Sequence, residues 1–406
     1  MKISAIISEY NPFHSGHLYH IKKTKALTED SLLIVLMSGN FTQRGIPSIM
    51  DKWSRAKMAV LNGADLVLEL PTLFSLSSAE FFSHGAVSIL NGLNSIDYLS
   101  FGSECGDVNN IILIAEVLSN EPLKYKTLLK DYLNKGLPFT TSRTLALKDY
   151  LKETSILNNT IDSLLSSPNN ILAIEYCKSL IKLNSNIKPL TIERIGGGYN
   201  DSSLNPIFSS ATSIRDYLKN NEDLNPLSEH MPKASYDILS TLKNEGYDFV
   251  FEEKIFSFIK YKLLCNKNNL SLIPEASEGL DNKILKEIIN SSSLNELILK
   301  VKSKRYTYTR INRILCQYFI GFDNYDILSL RKTCPNYIRP LAFNENGSKI
   351  LKNIKLNSEV KILTKLLKDT NPFLQLDLQG TRAYSLLCNN IKENSDFLYP
   401  PFILNS

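Results

Sequence analysis

The chain has 406 residues, with 46 Lys or Arg against 41 Asp or Glu and a formal charge of +5. Its 43% hydrophobic content is ordinary for a globular protein and excludes a chain too polar to bury a core. No apolar run approaches the roughly 18 residues of a membrane span, so no membrane partner is expected.

The first hundred residues alternate. Short runs at 3–8, 32–37, 66–70 and 96–101 are rich in Ile, Val and Leu and bounded by polar residues or Gly, as strands buried on both faces are. Between them, 16–27, 52–62 and 78–90 read as helices, the second with Asp51 as N-cap and Gly63 as stop. This alternation predicts an α/β fold with a Rossmann-like parallel sheet and right-handed crossovers. Ligands of such sheets bind beyond the carboxyl ends of the strands, which directs attention to 9–17, 38–47 and 102–106. From 108 to 185 the pattern turns helical, most clearly at 111–118, 123–133 and 171–183. A strand is expected at 190–195, running into the triple glycine 196–198 (a turn), and a helix at 213–219. Beyond 230 come amphipathic helices at 236–243, 254–264 and 283–290, then mixed segments. The expected division is a catalytic domain over 1–230 and a mostly helical region over 231–406.

The N-terminus carries no apolar stretch of signal-peptide length. Six cysteines, at 105, 177, 265, 316, 334 and 388, lie too far apart to form the close pairs of zinc or redox motifs. They suit a reducing cytoplasm, where they serve as small core hydrophobes.

The charge is unevenly spread. Residues 300–339 hold nine basic side chains against two acidic ones, a local +7 that leaves the rest of the chain at −2. Within that window, Lys304, Arg305, Tyr306, Arg310 and Arg313 interleave cations with an aromatic ring, and Tyr308 adds a second. Cations neutralise phosphates and rings stack on unpaired bases, so this stretch is read as an RNA surface rather than a solvated helix face. If helical from 308, it directs Ile311 and Ile314 to the core.

Chemistry concentrates after the first strand, in Asn11-Pro12-Phe13-His14-Ser15-Gly16-His17. His14 and His17 are three residues apart, on one side of a helix start whose free amides attract phosphate. Two imidazoles there can donate to phosphate oxygens as charge develops, which suits adenylyl transfer. Gly16 is expected to let a ligand approach the backbone. His20 extends the run, but lies about 120° round the helix from His14 and has no acidic or Cys companion, so no metal site is expected. Gln43, Arg44, Lys52 and Arg55 follow the second strand and could hold triphosphate or a carboxylate, or simply face solvent. No Cys or Ser nucleophile has a matching base, which fits a carboxylate attacking phosphorus directly.

The His-x-Gly-His pattern resembles the nucleotidyltransferase superfamily. Ser209-Ser210-Ala211-Thr212-Ser213-Ile214-Arg215 is similar to its second motif, ISSTxIR, with Ser for the leading Ile and Ala for the second Ser. Thr212 and Arg215 would form a second phosphate clamp. A longer resemblance, carried by Ser38-Gly-Asn-Phe-Thr-Gln-Arg-Gly45, Phe101-Gly-Ser-Glu104, Pro168-Asn-Asn-Ile171 and Arg194-Ile-Gly-Gly-Gly198, is to the bacterial tRNA(Met) cytidine acetate ligases. It implies activation of acetate by ATP, with Mg2+ accompanying the nucleotide. The acetyl group would pass to N4 of the wobble cytidine, position 34, of elongator tRNA(Met), yielding N4-acetylcytidine, AMP and pyrophosphate. It also implies ATP contacts from Ile7, Ser8, Glu9, Tyr10, Asn11, Pro12, Phe13, His14, Ser15, Gly16, His17, Leu18, Tyr19 and His20, and from Gly102, Asn169, Arg194 and Ile195. On the residues alone, Gly102 leaves room for a nucleotide, Asn169 is as readily a helix N-cap as a ligand, and Arg194 could stack on adenine or stay solvated. Two alternatives stand beside this reading: a nucleotidyltransferase of coenzyme synthesis, and a non-catalytic RNA-binding protein on the same fold.

Overall fold

The computed structural model describes residues 1–153, 161–195, 208–265, 267–367 and 370–405. A seven-stranded sheet is built from β1 (Ile3–Ser8), β2 (Leu32–Ser38), β3 (Leu66–Leu70), β4 (Tyr98–Ser103), β5 (Lys188–Glu193), β7 (Pro340–Asn344) and β9 (Phe402–Leu404). Two short strands, β6 (Tyr337–Ile338) and β8 (Lys361–Ile362), pair separately. The sheet order is β5-β4-β1-β2-β3-β7-β9, parallel throughout except where β3 meets β7. The central strands β1, β2 and β3 are mostly apolar, as strands covered on both faces are, and Ile3, Ala5, Leu33 to Met37 and Leu66 to Leu68 are solvent-free.

Strand order reverses beside β1: the chain moves outward through β2 and β3, then returns to place β4 on the other flank. Loops leaving the carboxyl ends of β1 and β4 therefore diverge and open a crevice, the position where such sheets hold ligands. The first of these loops enters α1 (Ser15–Leu27), and the loop after β2 enters α2 (Lys52–Leu61). Asp51 caps α2 as its sequence indicates, accepting from Ser54 N at 2.8 Å.

Beyond 230 the chain is mostly helical, as expected, and its later mixed segments include strands. That part is helical up to Leu330, but β7 and β9 then return to extend the sheet of the N-terminal half. Glu69 N donates to Arg339 O at 2.9 Å, and β3 bulges between Val67 and Leu68 opposite Pro340, whose ring lacks the N–H a regular ladder needs. The boundary at 230 thus divides two regions that share one sheet. The triple glycine 196–198 lies outside the described residues.

Candidate active site

After β1 the chain turns sharply at Tyr10, whose φ of 45° is positive, and its ring packs edge-on against Phe13 and His17 at 4.7 Å each. His14 then caps α1. Its Nδ1 accepts from Gly16 N at 3.1 Å, while its own N–H donates to His17 Nδ1 at 3.2 Å. The two rings lie 3.7 Å apart. Because each Nδ1 is an acceptor, each neutral ring carries its proton on Nε2. Burial, reinforced by Arg194 and Arg215, pushes the His14 pKa down to about 3. His17 is held well below its ordinary value by burial, then by His14, Arg194 and His20. Burial and Arg194 bring His20 down to about 4, and its Nε2 is 3.0 Å from Ser100 Oγ. All three imidazoles are therefore neutral donors at physiological pH.

Gly16 is also required by the packing of the loop itself. A Cβ there would lie 2.9 Å from His14 Cε1, so the missing side chain makes room for the capping imidazole.

The opposite wall comes from the helix Ala211–Asn220. Ser210 caps it, accepting from Ser213 N at 3.0 Å. Arg215 Nη1 donates to Asn11 O at 2.7 Å and its Nη2 to Thr212 Oγ1 at 3.2 Å, binding the second motif to the histidine loop. Arg44 Nη1 also reaches Thr212 Oγ1, at 3.4 Å. Glu9 Oε1 accepts from Gln43 N at 2.8 Å and Asn11 Oδ1 from Ile49 N at 2.8 Å, so the loops after β1 and β2 form one unit.

A third wall begins at Gly102 near the end of β4, where a Cβ would stand 3.2 Å from Arg194 Cγ. Asn169 is not the N-cap of its helix; Ser167 holds that position and the helix runs Pro168–Lys182. Its Nδ2 donates to Glu104 Oε1 at 2.6 Å, Asn170 N donates to Glu104 Oε2 at 2.9 Å, and Asn170 Oδ1 accepts from Glu104 N at 2.9 Å. Glu104 was not singled out from the sequence. Its signal is chemical: a carboxylate just past a strand end suits a helix N-terminus.

One cleft is lined by Ile7, Ser8, Glu9, Tyr10, Asn11, His14, His17, His20, Gly102, Asn169, Arg194, Thr212 and Arg215. Gln43, Arg44, Ile46, Phe82, Phe101, Leu172, Tyr176, Ser210 and Ala211 complete it, of which Ile46 and Phe82 lie outside every sequence motif. Gly16, Tyr19 and the exposed Ile195 line an adjoining depression. Pro12, Phe13, Ser15 and Leu18 do not line the cleft; Phe13 is a core residue.

Several basic residues are placed otherwise than expected. Lys52 and Arg55 face neither ligand nor solvent. Arg55 is fully buried and donates to the carbonyls of Met50, Glu9, Ser38 and Gly39. Lys52 Nζ meets Glu69 at 2.6 Å and Asp396 at 2.8 Å, and Arg339 closes the cluster at 3.0 and 2.7 Å. In the basic window, Tyr306 is buried and its hydroxyl donates to Glu278 O at 2.8 Å, so its ring is not a stacking platform here. Arg310 donates to Glu275 O at 2.8 Å, the buried Arg313 pairs with Glu275 at 3.0 Å, and Arg331 joins the same carboxylate at 3.3 Å. Lys304 is exposed, and Arg305 is exposed and paired with Glu278 at 2.9 Å. Four of the nine cations in the +7 window thus hold the 275–278 segment, and the helix Tyr308–Ile320 packs inside, with Ile311 and Ile314 in the core.

A family profile described as HIGH Nucleotidyl Transferase matches residues 1–396. A relative from Clostridium botulinum (strain Okra / Type B1), named tRNA(Met) cytidine acetate ligase, is 52% identical over 406 residues, covering 100% of this chain and 99% of its own. A Clostridium kluyveri relative of the same name is 50% identical over 407 residues, with both chains covered completely. The chain belongs to the tRNA(Met) cytidine acetate ligase family. Among solved structures of proteins similar to this family member is apo Thermotoga maritima TmcAL, with a TM-score of 0.91 at 32% identity and full coverage of both chains. The same protein bound with alpha-thio ATP aligns at a TM-score of 0.90. Among the described residues of this tRNA(Met) cytidine acetate ligase family member, no helix is long and apolar enough to cross a membrane.

Proposed function

We propose that this protein activates acetate with ATP as acetyl-adenylate and transfers the acetyl group to N4 of the wobble cytidine, position 34, of elongator tRNA(Met). The observation that carries this reading is the pair of neutral imidazoles at the start of α1, His14 buried and His17 half-buried, with Arg194 and Arg215 in the same cleft. Fixed Nε2–H donors and guanidinium groups stabilise charge that develops on phosphate oxygens without taking or losing a proton themselves. That is what displacement at phosphorus asks of a protein.

In the first step an acetate oxygen attacks the α-phosphorus, and the bond to the β-phosphate oxygen breaks with its electron pair leaving on pyrophosphate. In the second, the N4 lone pair attacks the acetyl carbon, the bond to the AMP oxygen breaks with its pair retained on AMP, and N4 loses a proton to solvent. His14, His17 and Arg215 would hold the phosphates, with Thr212 positioned by Arg215; Phe82, Phe101, Leu172 and Tyr176 offer apolar surface for adenine. The relatives' names and the neighbour bound with alpha-thio ATP support the choice of nucleotide and tRNA. The cytoplasm, where ATP and tRNA meet, is the expected location.

No group of three His, Cys, Asp or Glu among the described residues is placed to hold a metal, and Glu9 in the cleft wall already accepts from Gln43 N. These residues do not fit a protein-held Mg2+, which would enter with the triphosphate on phosphate oxygens and water; no step is assigned to it.

Purified protein given ATP, labelled acetate and tRNA provides the test. Label on tRNA(Met) at C34 is expected. Acetate-dependent ATP–pyrophosphate exchange without label on RNA would point to a small-molecule nucleotidyltransferase, and tRNA binding with neither activity to a non-catalytic protein.

A further inference from the structure

A second cavity adjoins the cleft. The two share Arg44, Thr212 and Arg215, and the second is lined further by Phe251, Tyr308 and Asn312. We propose that this cavity receives the acyl acceptor as a single extruded nucleobase, and that the side-chain oxygen of Asn312 accepts a hydrogen bond from its exocyclic amine. The proposal rests on the acetyl-transfer reading above and assigns the acceptor's place within it.

Asn312 carries the argument. It is 3% exposed, and its Oδ1 has no hydrogen-bond partner among the described residues. Its Nδ2 donates to Arg44 O at 3.3 Å, which fixes which end of the amide is oxygen: the reverse orientation would set two carbonyl oxygens against each other. The residue is held firmly. Gly45, at a φ of +81°, lies so close to the helix Tyr308–Ile320 that a Cβ would come within 2.3 Å of Arg313 N. A buried acceptor without a donor is destabilising, and a ligand N–H removes the deficit.

The base that fits carries an amine at its Watson–Crick edge. Cytosine presents N4–H2 where uracil presents O4, and an oxygen facing Asn312 Oδ1 would be repelled. Phe251 and Tyr308 are half-buried and supply the aromatic surface that an unstacked base needs. Lys219 is exposed at the rim, its Nζ 6.0 Å from the Phe251 ring, where it can meet a flanking phosphate. Because the cavity shares a wall with the nucleotide cleft, an amine held here is next to the adenylate formed there.

The test separates the two chemical steps in wild type and Asn312→Ala. Acetate-dependent ATP–pyrophosphate exchange reads the first; acetyl transfer to a tRNA(Met) transcript reads the second. The expected result is exchange within about 2-fold of wild type, with transfer kcat/KM lowered roughly 10- to 100-fold. A U34 transcript should compete poorly with the C34 transcript in wild type and about equally in the variant, a change that a merely structural role would not produce. If Asn312→Ala does not fold, Phe251→Ala provides the second arm, with exchange retained and the KM for tRNA raised. Equal loss of both steps in a folded variant, a raised KM for acetate in exchange, or unimpaired transfer would each overturn the proposal. Wild-type protein that shows no acetate-dependent exchange would instead overturn the reading of the nucleotide cleft, and this proposal with it.

Discussion

His14 and His17 derive their chemistry from two backbone hydrogen bonds and from burial. With the Nδ1 atoms engaged and protonation pushed far down, for His14 to about 3, the pair acts as a fixed set of Nε2–H donors. Acetate-dependent exchange should therefore show no inflection near the ordinary histidine value of about 6.5. A profile from about pH 5.5 to 8 checks this, and a break near 6.5 would identify a titrating imidazole instead. The second expectation at this scale concerns Gly16. Gly16→Ala places a Cβ 2.9 Å from His14 Cε1, so the ring must leave its capping position. Exchange should fall roughly 100-fold, as displaced catalytic groups do, while the thermal midpoint moves by only a few degrees. Assays of exchange and melting on the same preparation decide it. The spacing of these histidines was legible in the sequence; their tautomers were not, because these depend on which backbone amides the fold presents to each ring.

At the scale of elements, α2 illustrates how charge can mislead. Lys52 and Arg55 read as a basic helix start facing a crevice, yet both lie inside the molecule. Arg55 binds the ends of β1 and β2 through the Glu9, Ser38 and Gly39 carbonyls, and so shapes the floor from which the histidine loop departs. Lysine has a single donor head and cannot reproduce a guanidinium fork. Arg55→Lys should cost about 3 kcal/mol, since several charge-assisted hydrogen bonds to buried carbonyls are lost together. Denaturant titration measures it, and a change below about 0.5 kcal/mol would contradict this role. The helix Tyr308–Ile320 repeats the lesson: the apolar spacing of Ile311 and Ile314 announced its buried face, but nothing local announced Glu275, the partner that occupies Arg313 and Arg331. Phe82 likewise reaches the cleft from a helix that carries no motif.

Across the whole molecule, the C-terminal segment closes the sheet and brings charged groups into a dry interior. Lys52, Glu69, Arg339 and Asp396 join α2, β3 and two segments of the C-terminal region through contacts of 2.6 to 3.0 Å. Asp377 lies beside them, accepting from Thr72 N at 2.6 Å and Tyr337 Oη at 2.7 Å. Burial, and the nearby Glu69, raise its pKa to about 7. Between the usual carboxylate value of about 3.9 and that raised value, the folded state binds a proton that the unfolded chain lacks. The contribution to stability is thus present at low pH and lost as pH rises through about 7. Asp377→Asn removes this titration. Its melting temperature relative to wild type should rise by roughly 2 °C or more between about pH 5 and pH 8, as scanning calorimetry would show. A difference independent of pH would refute the assignment.

The sequence by itself determined the parallel α/β frame, the position of the histidine loop after β1 and the pairing of that loop with the 209–215 motif. These are written in local periodicity, caps and spacing, which neighbouring residues enforce on one another. Only the tertiary structure decided that the chain beyond 330 completes the sheet, that most of the +7 window is spent on internal partners, and that the Asn312 side-chain oxygen is left without a partner beside the cleft among the described residues. The physical reason is distance along the chain. A strand pairing, an ion pair or an orphaned acceptor is a relation between residues tens or hundreds of positions apart, and a residue's type does not reveal which partner the fold will supply.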